Sequence, residues 1–163
     1  MRGSRLDKID RKILSALQAD GRTTNVDLSK RVGISAPPCL RRVRTLEETG
    51  YIEGYHAKLN SKALGFEVTV FAMVGLQKQS GADINSFVQH TQNWPLVREC
   101  YMLNGEIDFL LKCVAPDLST FQDFLTNDLT PTPNVAHVKT SLVIKAAKQE
   151  PGIPFELSDA NLD

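Results

Sequence analysis

Residues 33–50 read GISAPPCLRRVRTLEETG, a turn followed by two adjacent prolines and then a basic segment with helical periodicity. If Ser35 is the N-cap of a helix, Pro37 and Pro38 fall in its first turn, where backbone N–H groups have no intrahelical partner. Proline removes no hydrogen bond there, and its fixed φ suits the helix. The stretch therefore predicts a helix with a stiff entry that begins after Ser35.

At 100° per residue, this helix has an apolar side and a cationic side. We expect the apolar side to pack on the preceding helices, and it consists of Ala36, Cys39, Leu40, Val43 and Leu46. The outward side consists of Pro37, Pro38, Arg41, Arg42 and Thr45, with Arg44 at its margin. The alternative interpretation is a solvated face whose arginines are balanced by Glu47 and Glu48.

Two helical patterns precede this segment, one over residues 6–19 and a shorter one that begins at Thr24 or Asn25 and is closed by Gly33. A short helix, a turn containing glycine and a helix with a basic outer face are typical of a helix-turn-helix. In that motif the second helix enters the DNA major groove. Residues 51–60, YIEGYHAKLN, predict a small β-hairpin wing or a strand leading to a linker.

The charges of this 163-residue chain are unevenly distributed, although 19 basic and 19 acidic residues cancel. Residues 1–64 hold 13 Lys and Arg against 7 Asp and Glu, whereas residues 65–163 hold 6 against 12. Because clustered Lys and Arg neutralise phosphates, the first half is the candidate for a polyanion partner. We therefore predict a winged helix-turn-helix domain over 1–59, a linker over 60–66, a second domain over 67–146 and a tail over 147–163.

The second half alternates strand and helix patterns in the order β-α-β-β-α-β, with Asn104-Gly105 as a turn between the two middle strands. With right-handed crossovers, this order predicts a four-stranded antiparallel sheet that carries both helices on one face. The fold class is thus α+β, a winged helix-turn-helix followed by a ferredoxin-like, ACT-like domain. The strands are expected at 67–77, 97–103, 107–114 and 135–145, and the helices at 82–92 and 119–129.

Several of these strands are apolar on both sides, whereas two helices can cover only one face of the sheet. An apolar face left in water would form a patch that soluble monomers avoid. We expect a second copy of the chain, related by two-fold symmetry, to cover that face. The alternative is that the Pro-rich, acidic residues 146–163 fold back over it, but this tail is expected to be mostly extended.

Other classes of site find no support in the sequence. The three cysteines are an odd number without a C-x-x-C pair, which indicates buried thiols in a reducing compartment. His56, His90 and His137 have no metal-ligand spacing, and no phosphate-binding or dinucleotide-binding fingerprint is present. Glu106 and Asp108 lie two residues apart but lack a partner nucleophile. We expect no catalytic residue, no metal, no cofactor and no membrane span, in a cytoplasmic protein.

Four segments together resemble the Lrp/AsnC family, the leucine-responsive or feast/famine transcriptional regulators. These segments are LDKIDRKIL, NVDLSKRVGIS, PPCLRRVRTLEETGYIEGYHAKLN and ECYMLNGEIDFLLK, and the resemblance extends over residues 6 to about 146. It implies a winged helix-turn-helix joined to an amino-acid-sensing αβ domain. It also implies dimers, commonly assembled into octamers, that bind and bend double-stranded DNA near promoters in the nucleoid.

The resemblance also implies site residues, which we carry over by position. The DNA-binding set is Asn25, Ser35, Pro37, Pro38, Arg41, Arg42, Arg44 and Thr45. We expect Arg41 and Arg42 at base edges or phosphates, and a phosphate at the helix N-terminus beside Ser35.

The effector pocket of such proteins lies between dimers, around the turn that joins the second and third strands. The effector-binding set is Met102, Leu103, Asn104, Gly105, Asp108, Leu118, Ser141 and Val143. Backbone amides of the turn are expected to hold a carboxylate, and Asp108 is expected to receive an α-ammonium group.

The predicted function is that of a sequence-specific DNA-binding transcriptional regulator that responds to a small molecule, an amino acid. One alternative is an architectural DNA-binding protein that ignores ligands. Another is an ACT-like regulatory or catalytic module whose basic half binds a protein. Salt titration of binding to specific and random duplexes distinguishes the first two functions, because an architectural protein has a steep salt dependence without sequence preference. The absence of any DNA binding would favour the third.

Overall fold

The structure is a computed structural model that describes residues 6–150 and 152–155. The chain forms two compact units, one of which is Leu59–Ala147. The other unit contains the residues up to Lys58 together with those from Lys148 onward. The predicted linker over 60–66 thus groups with the second unit, and the predicted tail groups with the first.

The described part of the first unit contains the helices α1 (Lys8–Ala19), α2 (Asn25–Val32) and α3 (Ala36–Glu48). Side chains of Asp7 and Thr24 cap α1 and α2 by accepting hydrogen bonds from first-turn N–H groups. The helices bury one apolar face each, so that a single small core holds them together. The buried side chains are Ile13, Leu14, Leu28, Val32, Cys39 and Leu46.

The chain after α3 takes neither of the two forms expected for residues 51–60, since it forms neither a hairpin nor a strand. These residues form no helix and pair with no strand within the described chain, so no hairpin is present there. The N–H groups of Tyr51 and Ile52 instead donate to the carbonyl of Leu46, at 2.9 and 3.1 Å. A short 3₁₀ turn, Lys62–Leu64, follows in the second unit.

The C-terminal segment packs on the first unit, although the sequence favoured an extended tail. The Gln18 amide donates to the carbonyl of Ile153 at 2.8 Å and accepts the N–H of Ile153 at 2.9 Å. Phe155 packs against the core of the three helices. Both of these contacts are with residues of the first unit, whereas the alternative expectation had placed this tail over the sheet.

The second unit is the predicted ferredoxin-like sandwich. Its elements are β1 (Val68–Leu76), α4 (Gly81–Gln92), β2 (Val97–Met102), β3 (Phe109–Ala115), α5 (Leu118–Phe124) and β4 (Val135–Leu142). The four strands pair antiparallel in the order β2-β3-β1-β4, which confirms the predicted topology. A π-helical turn, Leu125–Leu129, extends α5, and the side chain of Asp117 caps this helix.

Both helices cover the same face of the sheet, as the sequence predicted. The side chains on that face are buried, among them Val70, Ala72, Phe109 and Leu111. On the opposite face the alternate residues Phe71, Met73, Leu110 and Val114 are only half-buried. We call the side of the sheet on which these four residues lie the free sheet face.

Over the described residues, no helix has the length and apolarity needed to cross a membrane. The same part of the chain contains no group of three or more His, Cys, Asp or Glu side chains that could hold a metal ion. The three cysteines are free thiols. Cys39 and Cys113 are buried as predicted, whereas Cys100 is half-buried. Burial raises the pKa of the Cys113 thiol to about 12.

Candidate nucleic-acid interface and effector region

A tight turn between α2 and α3 sets the helix-turn-helix. Gly33 ends α2 in the left-handed conformation, with φ 79° and ψ 33°, which glycine adopts without steric cost. Its N–H and that of Ile34 both donate to the carbonyl of Ser29 at 3.0 Å. The chain then turns directly into Ser35 and α3. Only three residues therefore separate the two helices of the motif.

Asn25 was expected to contact DNA, but its side chain lies within the motif. Its amide nitrogen donates to the carbonyl of Ala36 at 2.8 Å, which joins the start of α2 to the first residue of α3. Its amide oxygen is buried and accepts no hydrogen bond from the described residues. The structure thus assigns Asn25 a part in holding the two helices together.

Ser35 occupies the N-cap position of α3, yet its side chain makes no capping hydrogen bond. An N-cap side chain normally accepts from the N–H of the second or third helical residue. Since Ala36 is the first residue of α3, those two positions are Pro37 and Pro38, which have no N–H. The exposed Ser35 hydroxyl is therefore left available to an external partner.

The outward face of α3 differs from the sequence expectation at Pro38, which is half-buried, and also at Leu40 and Arg42. Arg41, Thr45 and Pro37 are exposed as predicted, and Arg44, expected at the margin, is exposed as well. Leu40, expected inside, has 40% of its surface exposed. The reason is that the buried side of α3 centres on Cys39 and Leu46, which turns Leu40 towards solvent. Arg41 and Arg44 make no ion pair with any described residue.

Arg42 does not point freely outward as expected. Its Nη1 atom donates to Asp7 Oδ2 and to Asp10 Oδ1, both at 2.7 Å, and its side chain is 34% exposed. Hydrogen bonds from Arg42 to Asp10 and Asp7 raise the pKa of this guanidinium. The pKa of Asp7 is lowered, first by the backbone N–H of Asp10 and also by Arg42. Nothing in the sequence indicated that Asp7 and Asp10 would face α3.

A tyrosine hydrogen bond links the segment after α3 back to the helix. The hydroxyl of Tyr55 donates to Glu47 Oε1 at 2.9 Å. Burial, and then the neighbouring Glu47 carboxylate, raise the pKa of Tyr55 to about 12. The segment that was considered as a wing is thus tied back to the helix it follows.

In the second unit, the turn around Gly105 is a longer loop than the two-residue hairpin that Asn104-Gly105 suggested. Residues 103–108 connect β2 to β3, and the N–H of Leu103 donates to the carbonyl of Asp108 at 2.8 Å. A Cβ atom added at Gly105 would meet nothing within 4 Å. Space beside this residue is therefore open within the chain.

Asp108 is half-buried where this loop meets the end of β1. Its Oδ2 atom accepts the N–H of Leu76 at 2.6 Å, and its own N–H donates to the carbonyl of Val74 at 3.0 Å. Its other carboxylate oxygen has no hydrogen bond within the described residues. Exposed side chains of Met102, Leu103 and Asn104 lie on the adjoining end of β2 and in the loop.

The remaining effector candidates lie at the opposite end of the sheet. Ser141 pairs with Phe71 in β1, and the N–H of Val143 donates to the carbonyl of Thr69. Leu118 begins α5, shortly after β3 ends beside the start of β1. From Val74 to Thr69, β1 runs for about 17 Å. The eight residues thus form two groups that do not meet within one chain.

A polar trio on the free sheet face was missed by the sequence analysis. Lys112 Nζ donates to Glu99 Oε1 at 2.6 Å, and the hydroxyl of Tyr101 donates to Glu99 Oε2 at 2.8 Å. The hydrogen bond from Lys112 is the main cause that lowers the pKa of Glu99. Strand register brings these residues together, and register cannot be read from their spacing in the chain.

Comparisons with known proteins match both units. A family model described as the Lrp/AsnC ligand binding domain matches residues 69–153, and one described as winged helix-turn-helix DNA-binding matches residues 6–53. The leucine-responsive regulatory protein of Rhizobium meliloti (strain 1021) is 59% identical over 143 residues, which cover 88% of this chain and 92% of that protein. The Bkd operon transcriptional regulator of Pseudomonas aeruginosa is 44% identical over 141 residues, which cover 86% and 92%.

Solved structures agree with this assignment. A transcriptional regulator from Neisseria meningitidis, crystallised as a complex with L-Met, superposes with a TM-score of 0.88 at 36% identity and covers 94% of this chain and 99% of that one. The similar proteins named here are regulators of transcription and not enzymes. The chain therefore belongs to the Lrp/AsnC family and is a transcriptional regulator of the Lrp type, with a helix-turn-helix DNA-binding unit and a ligand-binding domain.

Proposed function

We propose that the outward face of α3 reads operator DNA and that an amino acid bound by the second unit changes this affinity. The observation that carries the first part is the state of Arg41 and Arg44. Both are exposed and without a carboxylate partner among the described residues, on a helix whose other side is buried. Such cations can neutralise phosphates or donate to guanine.

The contacts we assign along α3 differ in kind. Arg41 and Arg44 supply charge, and a bidentate contact of either with guanine would contribute about 1–3 kcal/mol of discrimination. Ser35 donates its hydroxyl to a phosphate at the helix N-terminus. Pro37 and Leu40 offer apolar surface to thymine methyl groups. The Thr45 hydroxyl already donates to the carbonyl of Arg41, so Thr45 contributes mainly its methyl group.

An amino acid is the ligand class that best suits the end of the sheet around Asp108. The free carboxylate oxygen of this residue can accept from an α-ammonium group, and the open space beside Gly105 leaves room for the ligand backbone. Met102 and Leu103 provide exposed apolar surface for its side chain. A neighbour of the same fold was crystallised with L-Met, which supports this class of ligand.

The pocket requires more than one chain if all eight candidate residues belong to it. Leu118, Ser141 and Val143 lie too far from Asp108 to join it within one protomer, so we assign them to the opposite wall, contributed by another copy.

The free sheet face gives a reason for such assembly, since burying each of its large apolar side chains contributes roughly 1.5–3 kcal/mol. We propose a dimer built on this face, with dimers assembling to an octamer. Acting on promoter DNA, the protein is expected in the cytoplasm, associated with the nucleoid.

The test measures binding to an operator selected from a random duplex library, with and without each of the twenty amino acids. We expect the Arg41→Ala and Arg44→Ala variants to lose affinity, and one or a few amino acids to change the affinity of the wild type. Asp108→Asn should abolish that response and leave ligand-free DNA binding intact. Equal affinity for selected and random duplexes, with no response to any amino acid, would support the architectural alternative instead. No binding to either duplex would favour the protein-binding module.

A further inference from the structure

Arg42 forms the centre of a hydrogen-bonded cluster with the first turn of α1. Asp7 and Asp10 make a reciprocal capping box there, in which Asp7 Oδ1 accepts the N–H groups of Ile9 and Asp10 at 2.8 Å. Asp10 Oδ2 accepts the N–H of Asp7 at 3.2 Å. The box therefore uses one oxygen of each carboxylate, and Arg42 Nη1 binds the other oxygen of each.

This arrangement leaves Arg42 poorly suited to contact DNA. Two carboxylates face one guanidinium, so the cluster has a net negative charge and would repel an approaching phosphate. Charge-assisted hydrogen bonds of 2.7 Å are strong ones, and exchanging them for a phosphate contact would leave two carboxylates without their cation. Arg41 and Arg44 have no such competitor among the described residues.

The cluster also lies where packing between the helices is incomplete. A cleft of about 380 Å³ opens between the first turn of α1 and α3, and Arg42, Asp7 and Asp10 are among the residues that line it. Apolar side chains do not fill this space. The two hydrogen bonds of Arg42 link the start of α1 to the middle of α3 across this cleft.

We propose that Arg42 is a positioning residue, which clamps the recognition helix to the capping box of α1 and so holds Arg41 and Arg44 at the angle needed for the major groove. This inference rests on the proposed DNA-reading role of α3. It replaces the sequence expectation that Arg42 contacts bases or phosphates itself.

The experiment compares the salt dependence of operator binding in four variants, with the operator selected from a random duplex library. Log affinity falls as log salt concentration rises, and each phosphate contact adds about 0.9 to the steepness of this slope. Arg41→Ala and Arg44→Ala serve as controls for direct contacts, and at least one should reduce this slope. Arg42→Met keeps the aliphatic stem and should weaken binding by roughly three- to tenfold at an unchanged slope. The double variant D7N/D10N keeps the charge of Arg42, and its asparagine oxygens can still accept the capping N–H groups. It should nevertheless weaken binding to a similar extent.

A different pattern would overturn the inference. If Arg42→Met reduced the slope as the control variants do, Arg42 would be a DNA contact. If D7N/D10N bound more tightly with a steeper slope, its carboxylates would be restraining a DNA-binding arginine.

A second measurement needs no DNA and keeps the clamp testable if operator binding itself fails. Chemical denaturation measures the free energy of unfolding of Arg42→Met, of D7N/D10N and of the protein that carries all three changes. The losses of stability should be less than additive in the combined variant, because either change alone breaks the same cluster. Additive effects would contradict the clamp. A wild-type protein without salt-dependent DNA binding would refute the proposed function but leave this coupling measurable.

Discussion

At the scale of single residues, Ser35 stands at a helix N-cap and caps nothing. Thr24, at the same position of α2, accepts the N–H of Asp27 at 3.2 Å, and its hydroxyl donates to the Asp27 carboxylate at 2.7 Å. Pro37 and Pro38 deprive Ser35 of the equivalent donors. The Thr24 hydroxyl therefore supports its helix, whereas the Ser35 hydroxyl is available for contact with a partner.

We predict that Ser35→Ala weakens operator binding several-fold without lowering the free energy of unfolding. Thr24→Ala is the matched variant and should cost about 1 kcal/mol of stability, the usual effect of losing an N-cap. Chemical denaturation and fluorescence anisotropy with labelled operator would measure the two quantities. A destabilised Ser35→Ala protein with unchanged DNA affinity would show that the hydroxyl supports the helix after all.

Leu40 offers a test of apolar base recognition by α3. Replacing single thymines of the selected operator by deoxyuridine removes one methyl group at a time. We predict that one symmetric pair of replacements weakens wild-type binding and has no effect on the Leu40→Ala variant. Equal sensitivity of both proteins at every thymine would remove Leu40 from the reading surface.

The positions of Leu40 and Arg42 show where sequence reasoning about α3 ends. Periodicity correctly separated the buried Cys39 and Leu46 from the exposed Arg41. Residues near the boundary between the two faces are decided by what the neighbouring helix presents. Asp7 and Asp10 attract Arg42 towards α1, and nothing in the spacing of 32 to 35 residues indicates this contact.

At the scale of elements, the turn between α2 and α3 depends on one backbone conformation. Gly33 has a φ of 79°, which an alanine adopts at a cost of about 1 kcal/mol. A Cβ added at Gly33 would meet no atom within 4 Å, and the same is true of Gly81 at the start of α4. The two glycines therefore differ in backbone conformation and not in available space.

We predict that Gly33→Ala and Gly81→Ala change stability in opposite directions. Gly33→Ala should lower the free energy of unfolding by about 1 kcal/mol. Gly81→Ala should raise it by about 0.4–1 kcal/mol, because alanine fits the first turn of a helix and reduces the entropy of the unfolded chain. Chemical denaturation followed by circular dichroism measures both. A neutral Gly33→Ala variant would mean that the turn relaxes.

Element order was predictable from the sequence, whereas loop geometry was not. Alternating apolar patterns gave the strands and helices of the second unit in the observed order. Asn104-Gly105 suggested a tight hairpin, but the hydrogen bond from Leu103 to Asp108 closes a longer loop. Residues 51–60 suggested a wing, yet contacts with Leu46 and Glu47 hold the segment against α3. In both places, hydrogen bonds outside the expected turn residues accompany the observed path.

At the scale of the whole molecule, the chain passes between the two units twice, after Lys58 and after Ala147. The second passage ends where Gln18 holds Ile153 through two hydrogen bonds. The second unit is thus connected to the first unit at both of its ends. Phe155 was one of few apolar residues in an acidic, Pro-rich tail, so its packing on the helices could not be foreseen from composition.

The free sheet face is the surface on which the proposed dimer is built. Phe71, Met73, Leu110 and Val114 expose apolar surface on this side of the sheet, with Glu99 and Lys112 paired beside them.

We predict that Phe71→Asp converts the wild-type assembly to monomers that retain their secondary structure. By two-fold symmetry the change occurs twice in each interface, and removing two large apolar contacts should weaken dimerisation by more than about a hundredfold. Light scattering coupled to size-exclusion chromatography measures the mass, and Gln122→Asp on the exposed side of α5 is the matched control. A Phe71→Asp protein of wild-type mass would show that assembly uses another surface, and the pocket shared between copies would then have to be sought at that surface instead.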